Sequence, residues 1–526
     1  MKKHSWHKDI VYQIYPKSFN DTSGNGYGDI NGIIEKLDYL EELGVTCLWL
    51  SPVFKSPMKD NGYDISDYRK IDPIFGSNED MYNLISQART KGIKIMLDLV
   101  VNHTSDQHFW FQEAIKGKDN PYRDYYIWRD NKNDLKSIFL GDAWTYDEKS
   151  KQYYFHMFAK EQPDLNWENP ILRNEIYDMM NFWINHGAEG FRMDVIEFLG
   201  KEPENMITSD GKNLHEYIHE MNQQTFGKKD IITVGESWSA TDETSKLYTN
   251  PNRKELSMIF RFDQITTFWD DKYGKWMTRD FDLLEYKNII FSRQKKENHK
   301  YWNTLFLGSH DLPRSVSQYV DPSFRKVGAK MLFACNAFLS GTPFIYQGDE
   351  IGMTNLHFDI DEYKDIEAIN AHNMLLDEGF DKDIVEKNIL KSSRDNARTP
   401  MQWTDTLYAG FSDEKPWTKV NPNYTIINVT KEQNSKDSIL AFYKKVIRLR
   451  KSEFNDLVLY GDFEALNREH KSILSYQRKQ GEKVIKVYCN FSSQETQCSI
   501  SGNIILNNYD TLDQNLKPYQ VVVVKI

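Results

Sequence analysis

Only four cysteines occur in 526 residues, at Cys47, Cys335, Cys489 and Cys498, and their separations match no paired metal-ligand spacing. A zinc ribbon is not indicated, and free thiols in a reducing compartment are the simplest reading. Cys47 and Cys335 lie inside apolar runs and read as thiols of a buried strand and a buried helix. No stretch is apolar for the length of a bilayer crossing, and Met1 to Ile10 hold no apolar signal core, so a cytoplasmic protein is expected. A basic arm or stripe is missing as well. The 77 Asp and Glu outnumber the 66 Lys and Arg, for a formal net charge of -11. That balance argues against nucleic acid and against an anionic membrane surface as partners, and makes a neutral substrate the expectation. The expected state is a monomer.

What is present is a long chain with a rich apolar inventory. An apolar fraction of 40% can fill a large core, and the 13 Trp and 30 Tyr suit stacking on sugar faces, although most of these rings must be core. Short apolar runs recur at Ile10 to Tyr15, Thr46 to Leu50, Ile93 to Val101, Gly187 to Asp194, Ile231 to Glu236, Met258 to Phe262, Thr304 to Leu307 and Pro343 to Tyr346. Between the first two, Ile33, Leu37, Leu40 and Leu43 keep helical spacing up to Gly44. Between the next two, Met81, Leu84, Ile85 and Ala88 do so up to Gly92. Strand, helix, glycine, strand is the grammar of a parallel sheet, and eight such units predict a (β/α)8 barrel.

The chain exceeds the usual length of that barrel, so an insertion is expected. Residues 104–167 lack the strand-helix rhythm and read as a small inserted domain after the third strand. After the amphipathic helix Ile439 to Arg450 the pattern turns to short strands at Ile473 to Gln477, Lys483 to Tyr488, Ile504 to Leu506 and Val521 to Ile526. The expected division is therefore residues 1–103 and 168–452 for the barrel, 104–167 for the insertion, and 453–526 for a C-terminal antiparallel β-sandwich.

In such a barrel, side chains converge only at the C-terminal ends of the strands. There this chain places Asp98, Asn102 and His103, then Arg192 and Asp194, then Glu236, then His310 and Asp311. An isolated Asp at a strand end is more often a helix cap, and a lone His is usually a satisfied structural group. Their joint occurrence at four mouth positions outweighs that reading. Retaining cleavage of a glycosidic bond needs one carboxylate to attack the anomeric carbon and a second to protonate the leaving oxygen. Asp194 and Glu236 can fill those roles, Arg192 is placed by strand alternation to keep Asp194 ionised, and Asp311 can hold sugar hydroxyls.

The segments Asp98-Leu99-Val100-Val101-Asn102-His103, Gly190-Phe191-Arg192-Met193-Asp194, Val234-Gly235-Glu236 and His310-Asp311 resemble the four conserved regions of the α-amylase family of glycoside hydrolases. Gln162-Pro163-Asp164-Leu165-Asn166 resembles the signature of its α-glucosidase branch. The likeness covers nearly the whole chain and points to the oligo-1,6-glucosidase and dextran glucosidase branch. It implies further sugar contacts: Asp60 with Arg398 gripping a terminal glucose, Tyr63 stacking beneath it, and His103 and His310 beside it. Val195, after the nucleophile, resembles α-1,6-cleaving relatives. Trp238 resembles a platform for a second glucose, and Lys275 an acceptor-side contact. One departure is Gly308-Ser309 before His310, where many relatives carry Asn.

The resemblance leaves a trehalose-6-phosphate hydrolase, a sucrose-isomerase-like transglycosylase and a catalytically dead binding scaffold as alternatives. The intact carboxylates and the lack of a spanning segment weigh against the scaffold. Finally, Asp21, Ser23, Asn25, Tyr27 and Asp29 put oxygen ligands at alternate positions of a glycine-rich turn, as a structural Ca2+ loop does. The chemistry itself asks for no cofactor.

Overall fold

The computed structural model describes residues 3–295 and 301–526. Each apolar run becomes a strand: β1 Val11–Ile14, β2 Cys47–Leu50, β3 Lys94–Leu99, β4 Gly190–Met193, β5 Ile232–Ser237, β6 Met258–Arg261, β7 Trp302–Leu305 and β8 Thr342–Tyr346. They follow one another around a closed parallel barrel in sequence order, and β8 pairs with β1. Continuous apolar runs suit strands covered on both faces, which is why these read as blocks and not as alternation. Within the expected run Ile93 to Val101, the ladder ends at Leu99, and Asn102 and His103 leave the strand as part of a loop.

By contact the chain falls into two compact units, residues 29–34 with 48–261, and residues 1–28 with 35–47 and 262–526.

In the unit that holds residues 48–261, β5 pairs with β4 on one side and β6 on the other, Val234 standing opposite both Arg192 and Met258. The helix Asn78–Thr90 starts at a reciprocal box between Ser77 and Asp80 and buries Met81, Leu84, Ile85 and Ala88. Burial of the three larger side chains stabilises it by about 1.5–3 kcal/mol each. The helix Pro170–Asn185 begins on an Asn169 cap with proline in the first turn. Between β3 and β4 lies a three-stranded antiparallel sheet of Trp128–Arg129, Gln152–Phe155 and Trp144–Asp147. Its own core is Ile127, Leu135, Ala143, Trp144, Phe155 and Met157.

In the other unit, the helices Arg325–Ala337 and Ile439–Lys451 pack with Phe333 stacked on Tyr443 at 3.9 Å between ring centres. Arg450 reaches the carbonyl oxygens of Ala337, Leu339 and Gly341 and so binds the end of one helix to the start of β8. The C-terminal region is a five-stranded antiparallel sheet of Asp462–Leu466, Ile473–Gln480, Lys483–Asn490, Val521–Lys525 and Asn503–Asn507, in that order. One face buries Ile473, Tyr488, Val522 and Val524 against Leu516, which belongs to a separate two-stranded sheet, Thr496–Gln497 with Asn515–Leu516. Among the described residues no helix is long and apolar enough to cross a membrane.

Candidate active site

The β3, β4 and β5 ends bring their polar side chains onto one guanidinium. Arg192 Nη1 donates to Asp98 Oδ1 at 2.9 Å and to Asp194 Oδ1 at 2.7 Å, and Nη2 donates to Glu236 Oε2 at 2.6 Å. All four groups are buried. The ladder explains the convergence: Asp98 stands opposite Arg192 in the β3–β4 pairing, and alternation puts Asp194 on the same side as Arg192. Asp98 Oδ2 also accepts the Trp49 indole N–H at 3.0 Å and the Tyr63 hydroxyl at 3.1 Å.

The electrostatics of Asp194 differ from the simple expectation that Arg192 keeps it ionised. Burial pushes the Asp194 carboxyl up, Arg192 draws it down, and Glu236 and Asp98 push it up again, with a net direction well above the usual carboxylate range. One cation shared among three carboxylates does not offset desolvation and like charge. The backbone next to it is strained as well. Val195 sits in the left-handed region at φ 38°, unusual for a β-branched residue, and its N–H points at Glu236 Oε2 at 3.2 Å. Trp238 Nε1 donates to the other oxygen, Oε1, at 3.1 Å.

His103 forms the neighbouring corner. Its Nε2 lies 3.0 Å from the Tyr63 carbonyl and 3.2 Å from Gln162 Nε2, and its Nδ1 lies 3.2 Å from Asn102 Nδ2. Burial drives the imidazole down to about 4, so it is neutral near pH 7. Gln162 also donates to Asp60 Oδ2 at 3.1 Å, joining the inserted segment to the loop after β2. That loop is an Asn-Gly turn: Asn61 and Gly62 have φ 51° and 109°, and the Tyr63 N–H returns to the Asp60 carbonyl at 3.0 Å. Asp164 accepts Lys201 Nζ at 2.9 Å and Asn102 Nδ2 at 3.1 Å, which pins the loop that carries His103.

The other unit carries a second cluster on the loop after β7. His310 Nε2 lies 2.8 Å from Asp311 Oδ2, and Arg398 Nη2 donates to Asp311 Oδ1 at 2.9 Å. Arg394 Nη1 reaches the same oxygen at 3.4 Å and grips Asp365 with Nε at 3.0 Å and Nη2 at 2.6 Å. Burial works to raise the Asp311 carboxyl, but His310, Arg394 and Arg398 together hold it well below its usual range, as a carboxylate. Ser309, in the Gly308-Ser309 departure, accepts the Asp311 N–H on its hydroxyl at 3.2 Å. Lys275, in the strand Gly274–Thr278, pairs with Glu367 at 2.7 Å and lines a cavity of about 180 Å3 together with Asp311.

A model of the alpha amylase catalytic domain matches residues 13–461. The chain belongs to the α-amylase family of glycoside hydrolases. Within this family, a glucan 1,6-alpha-glucosidase of Streptococcus pneumoniae serotype 4 is 48% identical over 508 residues, spanning 96% of this chain and 94% of that protein. An oligo-1,6-glucosidase of Bacillus cereus is 45% identical over 560 residues, spanning 100% of both. The solved structure of a trehalose-6-phosphate hydrolase from Bacillus licheniformis superposes with a TM-score of 0.93 at 41% identity, covering 99% of this chain and 100% of that one.

For this α-amylase family member, several groups around the clusters were not singled out from sequence. Trp49, Lys201 and Asp365 stand among ordinary neighbours in the chain, and only their long-range pairs with Asp98, Asp164 and Arg394 give them a place. Gln162 was in reach, since it opens the segment Gln162-Pro163-Asp164-Leu165-Asn166, and Arg394 stands four residues before Arg398.

The loop Asp21 to Asp29 closes on itself. Asp21 Oδ1 accepts the N–H groups of Ser23 and Gly24 and the Ser23 hydroxyl, while Oδ2 accepts the Gly26 N–H and the Ser412 hydroxyl. Asn25 Oδ1 accepts the Tyr27 N–H at 2.8 Å, and Asp29 Oδ1 accepts the Gly32 N–H at 2.6 Å. Both Asp21 oxygens serve the turn, and Ser23 and Asn25 bring no charge, so this residue set suits a tightly held Ca2+ poorly.

Proposed function

We propose that this chain is a retaining, exo-acting α-glucosidase that hydrolyses α-1,6-glucosidic bonds at the nonreducing end of isomalto-oligosaccharides and dextran, releasing glucose. The observation that carries the reading is the single buried Arg192 guanidinium bonded to both Asp194 and Glu236, which brings two carboxylates of unlike environment together for one sugar. The names of the relatives, glucan 1,6-alpha-glucosidase and oligo-1,6-glucosidase, support the linkage.

In the first step Asp194 attacks the anomeric carbon, the bond to the aglycone oxygen breaks, and Glu236 gives its proton to that oxygen. In the second, Glu236 as carboxylate takes a proton from water, whose oxygen displaces Asp194 from the anomeric carbon and frees glucose. Asp311, held ionised, suits a transition state that gains positive charge, and His103, neutral, orders the corner made with Tyr63 and Gln162. Arg398 Nη1 is buried with no hydrogen-bond partner among the described residues, which supports a role as donor to a sugar hydroxyl. Asp60, Tyr63, His310, Val195 and Trp238 complete the proposed sugar contacts.

A phosphorylated acceptor is the second reading, since it shares this frame. Two of the three basic side chains of the cavity beside Asp311 weaken it, Lys391 being the third: Lys275 is paired with Glu367, and Arg279 donates to both oxygens of Glu285 at 2.9 Å. Paired cations suit a neutral acceptor better than a phosphate. The test is glucose release, side by side, from isomaltotriose, maltotriose, dextran and trehalose 6-phosphate. Release from isomaltotriose and dextran is expected. Release mainly from the phosphorylated sugar would replace the substrate assignment, and silence on all four would favour transfer to a sugar over transfer to water.

A further inference from the structure

Beyond Ser237, which pairs with Arg261 at the end of the β5–β6 ladder, the chain leaves the barrel sheet. The next backbone N–H groups need other acceptors, because buried donors left unpaired are destabilising. Glu197 supplies them. It lies in the short 3-10 helix Ile196–Gly200 that follows Asp194 and Val195, and it is 2% exposed. Its Oε1 accepts the Trp238 N–H at 3.1 Å. Its Oε2 accepts the Ser239 N–H at 3.0 Å, the Ser237 hydroxyl at 2.8 Å and the Ser239 hydroxyl. Both oxygens of one carboxylate are thus spent on the three residues that follow Glu236.

Those residues carry the contact that fixes Glu236 itself. Trp238 donates its indole N–H to Glu236 Oε1, while Oε2 is held by Arg192 and by the Val195 N–H. The loop after β4 therefore holds one Glu236 oxygen directly and, through Glu197, the base of the side chain that holds the other. We propose that Glu197 is a positioning residue for proton transfer: it ties the Trp238 turn to the Asp194 loop and so keeps the Glu236 carboxyl aimed at the leaving oxygen. The proposal rests on the reading of Glu236 as the acid and base. A proton donor must sit within hydrogen-bond reach of its target, so small rotations of this turn matter to that step.

Glu197→Gln is nearly isosteric, and it replaces one acceptor by an NH2 group that faces the Trp238 or Ser239 N–H. The measurement is kcat/KM on isomaltose, whose sugar leaving group needs a proton, and on α-glucosyl fluoride, whose fluoride does not. For Glu197→Gln a fall of about tenfold or more on isomaltose and of less than about threefold on the fluoride is expected. Ser239→Ala, which removes one donor from the same carboxylate, should show the same split in a milder form. Glu236→Gln serves as the reference and should show the largest split. An equal fall on both substrates, or no fall on either, in Glu197→Gln while Glu236→Gln shows the split would overturn the positioning role alone. No split in Glu236→Gln would overturn the acid and base reading and the proposal with it.

Discussion

Arg192 Nη1 lies 2.7 Å from Asp194 Oδ1, and both groups are buried, yet the Asp194 carboxyl remains shifted upward. As the proposed nucleophile, Asp194 must be ionised, so activity should be lost as pH falls through its pKa. The acid limb of kcat/KM should therefore lie above the ordinary carboxylate value of about 4. Removing the one group that draws it down moves the limb further up. Arg192→Gln should shift it to higher pH, besides lowering kcat/KM. A pH profile of the variant checks this, and an unmoved limb would mean that a different group sets it.

Trp238→Phe keeps a ring and deletes the N–H that reaches Glu236 Oε1. A hydrogen bond to a charged group contributes about 1.5–3 kcal/mol, so kcat/KM on isomaltose should fall by about tenfold or more. An unchanged rate would assign Trp238 to packing alone.

Arg398→Lys keeps the charge and loses the fork. In the native chain Nε donates to the His310 carbonyl, Nη2 to Asp311, and Nη1 has no hydrogen-bond partner among the described residues, which suits the proposed sugar contact. Lysine cannot serve all three directions, and kcat/KM should fall by about ten- to a hundredfold. Steady-state kinetics on isomaltotriose measure it.

The barrel was legible because buried parallel strands are written as short apolar blocks, and all eight blocks became barrel strands. The strand Asp462–Leu466 was not, since its alternation of Phe463 and Ala465 with Asp462 and Glu464 is only five residues long and none of them is fully buried. The same divide runs through the site. Asp98, Arg192, Asp194 and Glu236 sit at strand ends, where the barrel itself dictates convergence. Asp365 on Arg394 and Lys201 on Asp164 are pairs made by loops, and nothing local in the chain marks their partners. The net direction of the Asp194 shift was likewise hidden, because it depends on Asp98 and on burial as much as on Arg192.

His103 gives the fold an acid weakness. Its imidazole titrates at about 4 when folded and about 6.5 when unfolded, so between those values the unfolded chain binds the extra proton. Stability from this group is full above about pH 6.5 and falls as pH drops towards 4, by about 3 kcal/mol in total. Urea midpoints at pH 7 and 4.5 should converge in His103→Gln relative to the native chain. An equal pH dependence in the two would remove His103 from the account.

Chelation should leave the melting temperature unchanged, because the Asp21 carboxylate is already occupied by donors of its own turn. Thermal melts with chelator and with added CaCl2 test it. A loss of several degrees that Ca2+ restores would make this loop a structural ion site.

Asp98, Asp194 and Glu236 meet a single guanidinium where three barrel strands end. An arrangement with more negative than positive groups is a trap for small organic cations whether or not they are sugars. Protonated amines with several hydroxyls would enter it and compete with substrate, so the buffer chosen for an assay becomes part of the result. Rates measured in hydroxylated amine buffers would understate the enzyme, and the discrepancy against phosphate would grow as the amine becomes more fully protonated.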